Sequence, residues 1–133
     1  MNILDSYTQD ESIAYLLKTF GIQPNLKGWK YLNCAVKLAI EDDNALDQVT
    51  KILYPYIAKR YNTTSARVER GIRHAIEAAF DISAEGSWLY EVFSSTYSPM
   101  KGKPTNSAFI AMCVELLTTE VHHPIFNLKE ARV

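Results

Sequence analysis

Apolar residues recur at every third or fourth position along almost the whole of this chain, and nowhere do they alternate for the length that a half-buried strand needs. That periodicity restricts the fold to the all-α class. With 133 residues, the chain buries enough surface for one core but not for two full domains, so a single domain of about six to seven helices is expected. Apolar residues make up 47% and charged residues 22%, with only 5 Gly and 5 Pro, which excludes a disordered or fibrous chain.

The punctuation places the helices. A first helix is expected from about Ser12 to Phe20, with Ile13, Leu16, Leu17 and Phe20 on one stripe and Gly21 as its stop. A second runs from Gly28 until the acidic Glu41-Asp42-Asp43 interrupts it, and a shorter one carries Leu46, Val49, Ile52 and Leu53. Pro55 cannot sit inside a helix without removing a hydrogen bond, yet it suits a helix start, so Tyr54-Pro55 reads as a joint opening a short helix to about Tyr61. After Asn62-Thr63-Thr64 the strongest helix follows, from about Ser65 to Phe80. A helix near Trp88 to Ser94 and a last one capped by Thr105 or Asn106 complete the set.

Net charge is -1, which by itself points to no polyanion partner. Its distribution says otherwise. Residues 51–80 carry an excess of four positive charges, whereas residues 1–50 and 81–133 carry excesses of three and two negative ones. On a helical wheel with Arg67 at zero, Val68, Ile72, Ala75, Ile76, Ala79 and Phe80 fall between about 80° and 220°. Arg67, Arg70, Arg73 and His74 share the opposite face. One face is built for packing and the other for a partner.

The helix pair joined at Asn62-Thr63-Thr64 fits a helix-turn-helix over residues 55–80: Ala58 is small where the second helix must approach, Asn62 takes the turn, and Val68 is apolar early in the second helix. Gly71 stands where that pattern prefers a bulky apolar residue, a role Ile72 is expected to fill.

The stretch LYPYIAKRYNTTSARVERGIRHAIEAA, residues 53–79, resembles the DNA-binding effector domain of the master response regulator of sporulation initiation, stage zero sporulation protein A. Two further segments resemble that family in the same order: GIQPNLKGWKYL at 21–32 and KGKPTNSAFIAM at 101–112. The resemblance implies an all-α domain over residues 12–120, between an N-terminal segment 1–11 and a tail 121–133. It implies sequence-specific binding of double-stranded DNA as a transcription regulator, often as tandem homodimers, and contact with an RNA polymerase sigma factor.

Carried over by position, the resemblance gives Glu69, Arg70 and Arg73 base contacts in the major groove. Arg67 and His74, with Lys101, Lys103, Thr105, Asn106 and Ser107, become backbone contacts. The chemistry agrees, since a guanidinium fork matches the two acceptors of guanine, and Glu69 can accept from cytosine or pair with Arg73 four residues on. The family's full-length regulators carry a phosphoacceptor receiver, for which this chain has no β/α pattern. The chain is then either an excised effector domain or a stand-alone relative.

Other functions find little purchase. No glycine-rich phosphate loop, HExxH pair or Cys-His arrangement is present, so no enzyme, cofactor or metal is expected. The two cysteines, Cys34 and Cys113, exclude a disulfide framework and a four-cysteine zinc site, and both are expected to be buried thiols. No apolar run is long enough to span a membrane and no signal peptide opens the chain, so a cytoplasmic, nucleoid-associated protein is expected. The remaining alternative is a protein-interaction module of the same fold, an antagonist that binds a sigma factor or a full regulator. It would be free to lose the basic face that this chain keeps.

Overall fold

The computed structural model describes residues 8–83, 87–94 and 103–119. These fold as one all-α domain. The helices are α1 (Gln9–Phe20), α2 (Lys27–Glu41), α3 (Asp43–Asp47), α4 (Tyr54–Arg60), α5 (Ser65–Ile82), α6 (Trp88–Ser94) and α7 (Asn106–Thr118), and among the described residues there is no strand.

Helix α1 starts three residues earlier than the apolar stripe predicts. Thr8 and Glu11 form a reciprocal capping box, in which the Glu11 amide donates to Thr8 Oγ1 and the Thr8 amide to Glu11 Oε1, both at 3.1 Å. Two otherwise orphaned amides are satisfied, so the polar residues before Ser12 join the helix. At the other end Gly21 takes a left-handed φ of 95° and stops it as expected.

The Tyr54-Pro55 joint is real, but it takes a form the sequence did not announce. Residues Val49–Leu53 form a π turn that runs straight into α4, and the Tyr54 amide donates to the Val49 carbonyl five residues back. Pro55 has no amide for the carbonyl four residues before it and its ring crowds that turn, so widening the backbone just ahead of it lets the chain stay helical.

The turn between α4 and α5 is closed by hydrogen bonds. The Thr63 amide donates to Ala58 O at 2.9 Å and the Asn62 amide to Lys59 O at 3.4 Å, the pair of bonds that ends a helix on a left-handed residue. Asn62 is that residue, with φ 53°. Thr64 then caps α5, accepting from the Arg67 amide at 3.2 Å.

Helix α2 is central, packing on α1, α5 and α7. Its crossing with α5 has no room for side chains: a Cβ on Gly28 would lie 2.3 Å from Gly71 O and 2.5 Å from Ala75 Cβ, and one on Gly71 would meet the Tyr31 ring at 3.0 Å. Gly71 is therefore not a defect in the helix-turn-helix pattern. It is the seat of α2, while Ile72 is wholly buried beside it, as expected.

An aromatic cluster ties in the later helices. Phe20 stacks on Trp88 with centroids 4.8 Å apart, Phe93 stacks on Phe109 at 5.4 Å, and Phe20 meets Phe109 at 5.5 Å. Cys113 is buried, but Cys34 is only half-buried, correcting the expectation of two buried thiols. Helix α2 turns Cys34 toward its rim beside Lys37 and Arg60 rather than into the core.

The glycine contact makes a direct prediction. Gly28→Ala forces α2 and α5 apart and should cost about 1–3 kcal/mol or more, read as a lower urea midpoint, because a methyl group meets a backbone carbonyl that cannot move alone. An unchanged midpoint would mean that the helices do not cross at these glycines.

Candidate nucleic-acid interface

The buried set of α5 is Val68, Ile72, Ala75, Ile76, Ala79 and Phe80, the face predicted from the wheel. Arg67, Arg70, Arg73 and His74 are all exposed and form a ridge over the first turns of the helix. Acids bound that ridge at its C-terminal side, where Glu77 and Asp81 are exposed on the following turns. The cationic part of α5 is thus its N-terminal part, the end that a recognition helix presents to base edges.

Two grooves flank the ridge. On one side, a groove of about 490 Å³ runs between α5 and the start of α7, with Glu69, Arg73, Lys103, Thr105 and Ser107 along it. On the other, one of about 450 Å³ runs between α5 and the start of α2, with Lys27, Arg67, Arg70 and His74 along it. Arg70 stands between them on the crest, about 300° around the wheel.

Glu69 sits at about 200° on the same wheel, at the edge of the core face, and is accordingly half-buried. Its Oε1 accepts from Arg73 Nη1 at 2.9 Å, the i,i+4 pair that the spacing allows. Its Oε2 is covered and has no hydrogen-bond partner among the described residues. The Arg73 guanidinium is therefore paired across one turn of α5, and a covered carboxylate oxygen with unspent acceptor capacity lies beside it.

The start of α7 divides into outward and inward groups. Thr105 caps the helix, accepting from the Ala108 amide at 3.2 Å, and Thr105, Ser107 and Lys103 are exposed. Asn106 points the other way. It is the only buried polar residue of the described core, and its Nδ2 donates to Tyr54 Oη and to Glu69 O, each at 3.0 Å. Both of its side-chain hydrogens are thus spent inside the fold, joining α7 to α4 and α5, and only its backbone amide faces the helix start, where amides have no intrahelical acceptor. Burial pushes the Tyr54 hydroxyl pKa up, while the Asn106 hydrogen bond opposes that shift.

Lys103 forms an ion pair with Asp81. The hydrogen bond to that carboxylate raises the lysine pKa above its ordinary value. The cation at the α7 edge is therefore paired with an acid from the end of α5. Lys101, the other lysine expected on this loop, lies outside the described residues.

The structure thus brings nine of the ten sequence-predicted site residues to α5 and the start of α7. It also brings up Lys27, which sequence reasoning passed over. Only its place just before Gly28 could have marked it, and that mark becomes legible once Gly28 is known to touch α5. Among the described residues no cluster of three or more His, Cys, Asp or Glu could hold a metal ion, and no helix is long and apolar enough to cross a membrane.

A protein-family model described as the C-terminal domain of sporulation initiation factor Spo0A matches residues 13–117, which takes in both grooves and the whole helix-turn-helix.

Asn106→Ala strips one buried and one partly buried acceptor of their donor and should lower stability by about 1–3 kcal/mol in urea titrations. Ser107→Ala, on the exposed side of the same turn, should change it by less than about 0.5 kcal/mol. Equal effects of the two would show that Asn106 does not face inward.

Proposed function

The chain belongs to the family of Spo0A C-terminal domains, DNA-binding domains of sporulation initiation and transcription regulation, and on that footing we propose that it reads a specific sequence with α5 in the major groove. The observation that carries this reading is the cationic crest at the N-terminal half of α5, opposite a fully buried face and flanked by two open grooves. A helix in a groove about 12 Å wide meets base edges with its crest and phosphates with its flanks.

In this reading Arg70 and Arg73 contact base edges. Arg70 is an exposed fork with no ion pair among the described residues, able to span the two acceptors of guanine. Arg73 leaves its exposed pair with Glu69 to reach a base, and the freed Glu69 carboxylate can then accept from a cytosine amino group. Arg67 and His74 contact backbone on one flank. Lys103, Thr105, Ser107 and the Asn106 amide, with Lys101, contact it on the other. Lys103 must exchange Asp81 for a phosphate, one anion for another.

No catalytic role belongs to this reading. Binding as tandem copies and contact with a sigma factor are further parts of it, supported by family membership. A pure interaction module is disfavoured by the three exposed arginines and His74 on one face of α5, which such a protein has no reason to keep.

Two substitutions test the assignment by gel shift or anisotropy. Arg70→Ala should lower affinity for the cognate box, obtained by selection from a random pool, by about 1–3 kcal/mol and leave scrambled DNA nearly unaffected. Equal losses on both would make Arg70 a phosphate contact. Lys103→Ala should weaken both and reduce the slope of log K against log salt by about one unit. A slope equal to that of the unsubstituted chain would remove Lys103 from the interface.

A further inference from the structure

We infer that the start of α2 is a second phosphate-binding edge, with Lys27 as its cation, and that it holds the DNA strand opposite to the one held by the start of α7. This rests on the reading of α5 as the helix that enters the groove, and it adds an element which the helix-turn-helix pattern does not supply.

Three observations carry it. Lys27 is exposed, has no ion pair among the described residues, and lines the same groove as Arg67, Arg70 and His74, so four basic side chains converge there with no acid along the groove. The α7 groove differs, since Glu69 and Glu77 line it and Asp81 holds its lysine. The α2 side is therefore the more cationic of the two.

Position is fixed as well as charge. Gly28 lies against the Gly71 carbonyl so closely that no Cβ fits, which pins the residue next to Lys27 to the Arg67–His74 flank of α5. A lysine on a mobile loop would only add to the general field, whereas this one has a defined place relative to α5.

The two grooves lie on opposite flanks of one helix. Arg67, Gly71 and His74 share one flank of the wheel and Glu69 and Arg73 the other, the two groups being centred roughly 150° apart. An α-helix is about 10–12 Å across with its side chains and the major groove about 12 Å wide, so a helix seated there has one phosphate backbone along each flank. Opposite flanks then mean opposite strands. The α2 edge would take one and the α7 edge the other, clamping α5 between them.

The test uses the whole chain, the selected box, and versions of the box in which single phosphates are replaced by uncharged methylphosphonates on one strand or the other. Lys27→Ala should weaken cognate and scrambled DNA alike and lower the salt slope by about one unit. It should also become insensitive to a methylphosphonate on one strand that weakens the unsubstituted chain. Lys103→Ala should show the same insensitivity on the other strand.

A salt slope unchanged by Lys27→Ala, or the same strand found for both lysines, would overturn the proposal. Lys27 is exposed at a helix end, so its loss should not unfold the chain; Lys27→Arg, which keeps the charge, should keep the slope and confirms that charge is what is read. If Arg70→Ala and Lys103→Ala also leave binding unchanged, the reading of α5 fails. If they weaken it and Lys27→Ala does not, the second edge alone fails.

Discussion

The closeness of α2 to α5 at Gly28 and Gly71 is the constraint from which the rest of the arrangement follows. Two helices with ordinary side chains at their contact keep their axes about 8–10 Å apart, and a crossing with bare backbone on both sides falls toward the lower end of that range. Here Gly28 meets a carbonyl of α5 and Gly71 meets the Tyr31 ring. Because α2 also packs on α1 and α7, this crossing sets where α5 sits relative to the whole core. A helix with half of its surface left to solvent needs such a seat. What it lacks in burial it recovers in a closer fit on the buried side.

The polar link on the opposite flank complements that seat. Asn106 joins Tyr54 on α4 and the Glu69 backbone on α5 from the first turn of α7, so both helices of the helix-turn-helix share one partner. Its partners are buried or partly buried, and a broken bond here leaves an acceptor poorly placed to find water instead. Glycine contact on one side and amide link on the other hold α5 between two flanks that are themselves candidate backbone contacts. The same two helix starts thereby seat α5 and carry the edges proposed to meet the DNA backbone.

Most of the architecture was legible from spacing. The apolar period gave the helices, the wheel of residues 65–80 gave the buried face without error, and Asn62 was readable as a left-handed turn residue. Local signals carry those features. The Thr8-Glu11 capping box was equally local and was overlooked because its residues precede the apolar stripe. The π turn was less accessible, for Pro55 announces a break but not that the chain widens and continues. What sequence could not yield are pairings across distance. Gly28 with Gly71, Lys103 with Asp81, and Asn106 with Tyr54 join positions 43, 22 and 52 residues apart. A residue such as Asn106, at a helix start beside Thr105 and Ser107, carries no local mark that distinguishes inward from outward.

The net charge of -1 acquires its meaning from these pairings. A chain with so little overall charge has weak long-range attraction to a polyanion, and its local cations are further restrained, Lys103 by Asp81 and Arg73 by Glu69. Such restraints reduce affinity for any duplex, because each cation must leave a partner before it meets a phosphate or a base. They reduce it least where the new partner has the better geometry. A fork of guanidinium on guanine replaces an exposed i,i+4 pair worth only about 0.3–0.5 kcal/mol, whereas a cation facing a scrambled sequence gains only a phosphate that salt screens. In the proposed reading, internal acids placed beside the reading face therefore lower non-specific binding more than specific binding, and a nearly neutral domain gains discrimination by the same charges that cost it affinity.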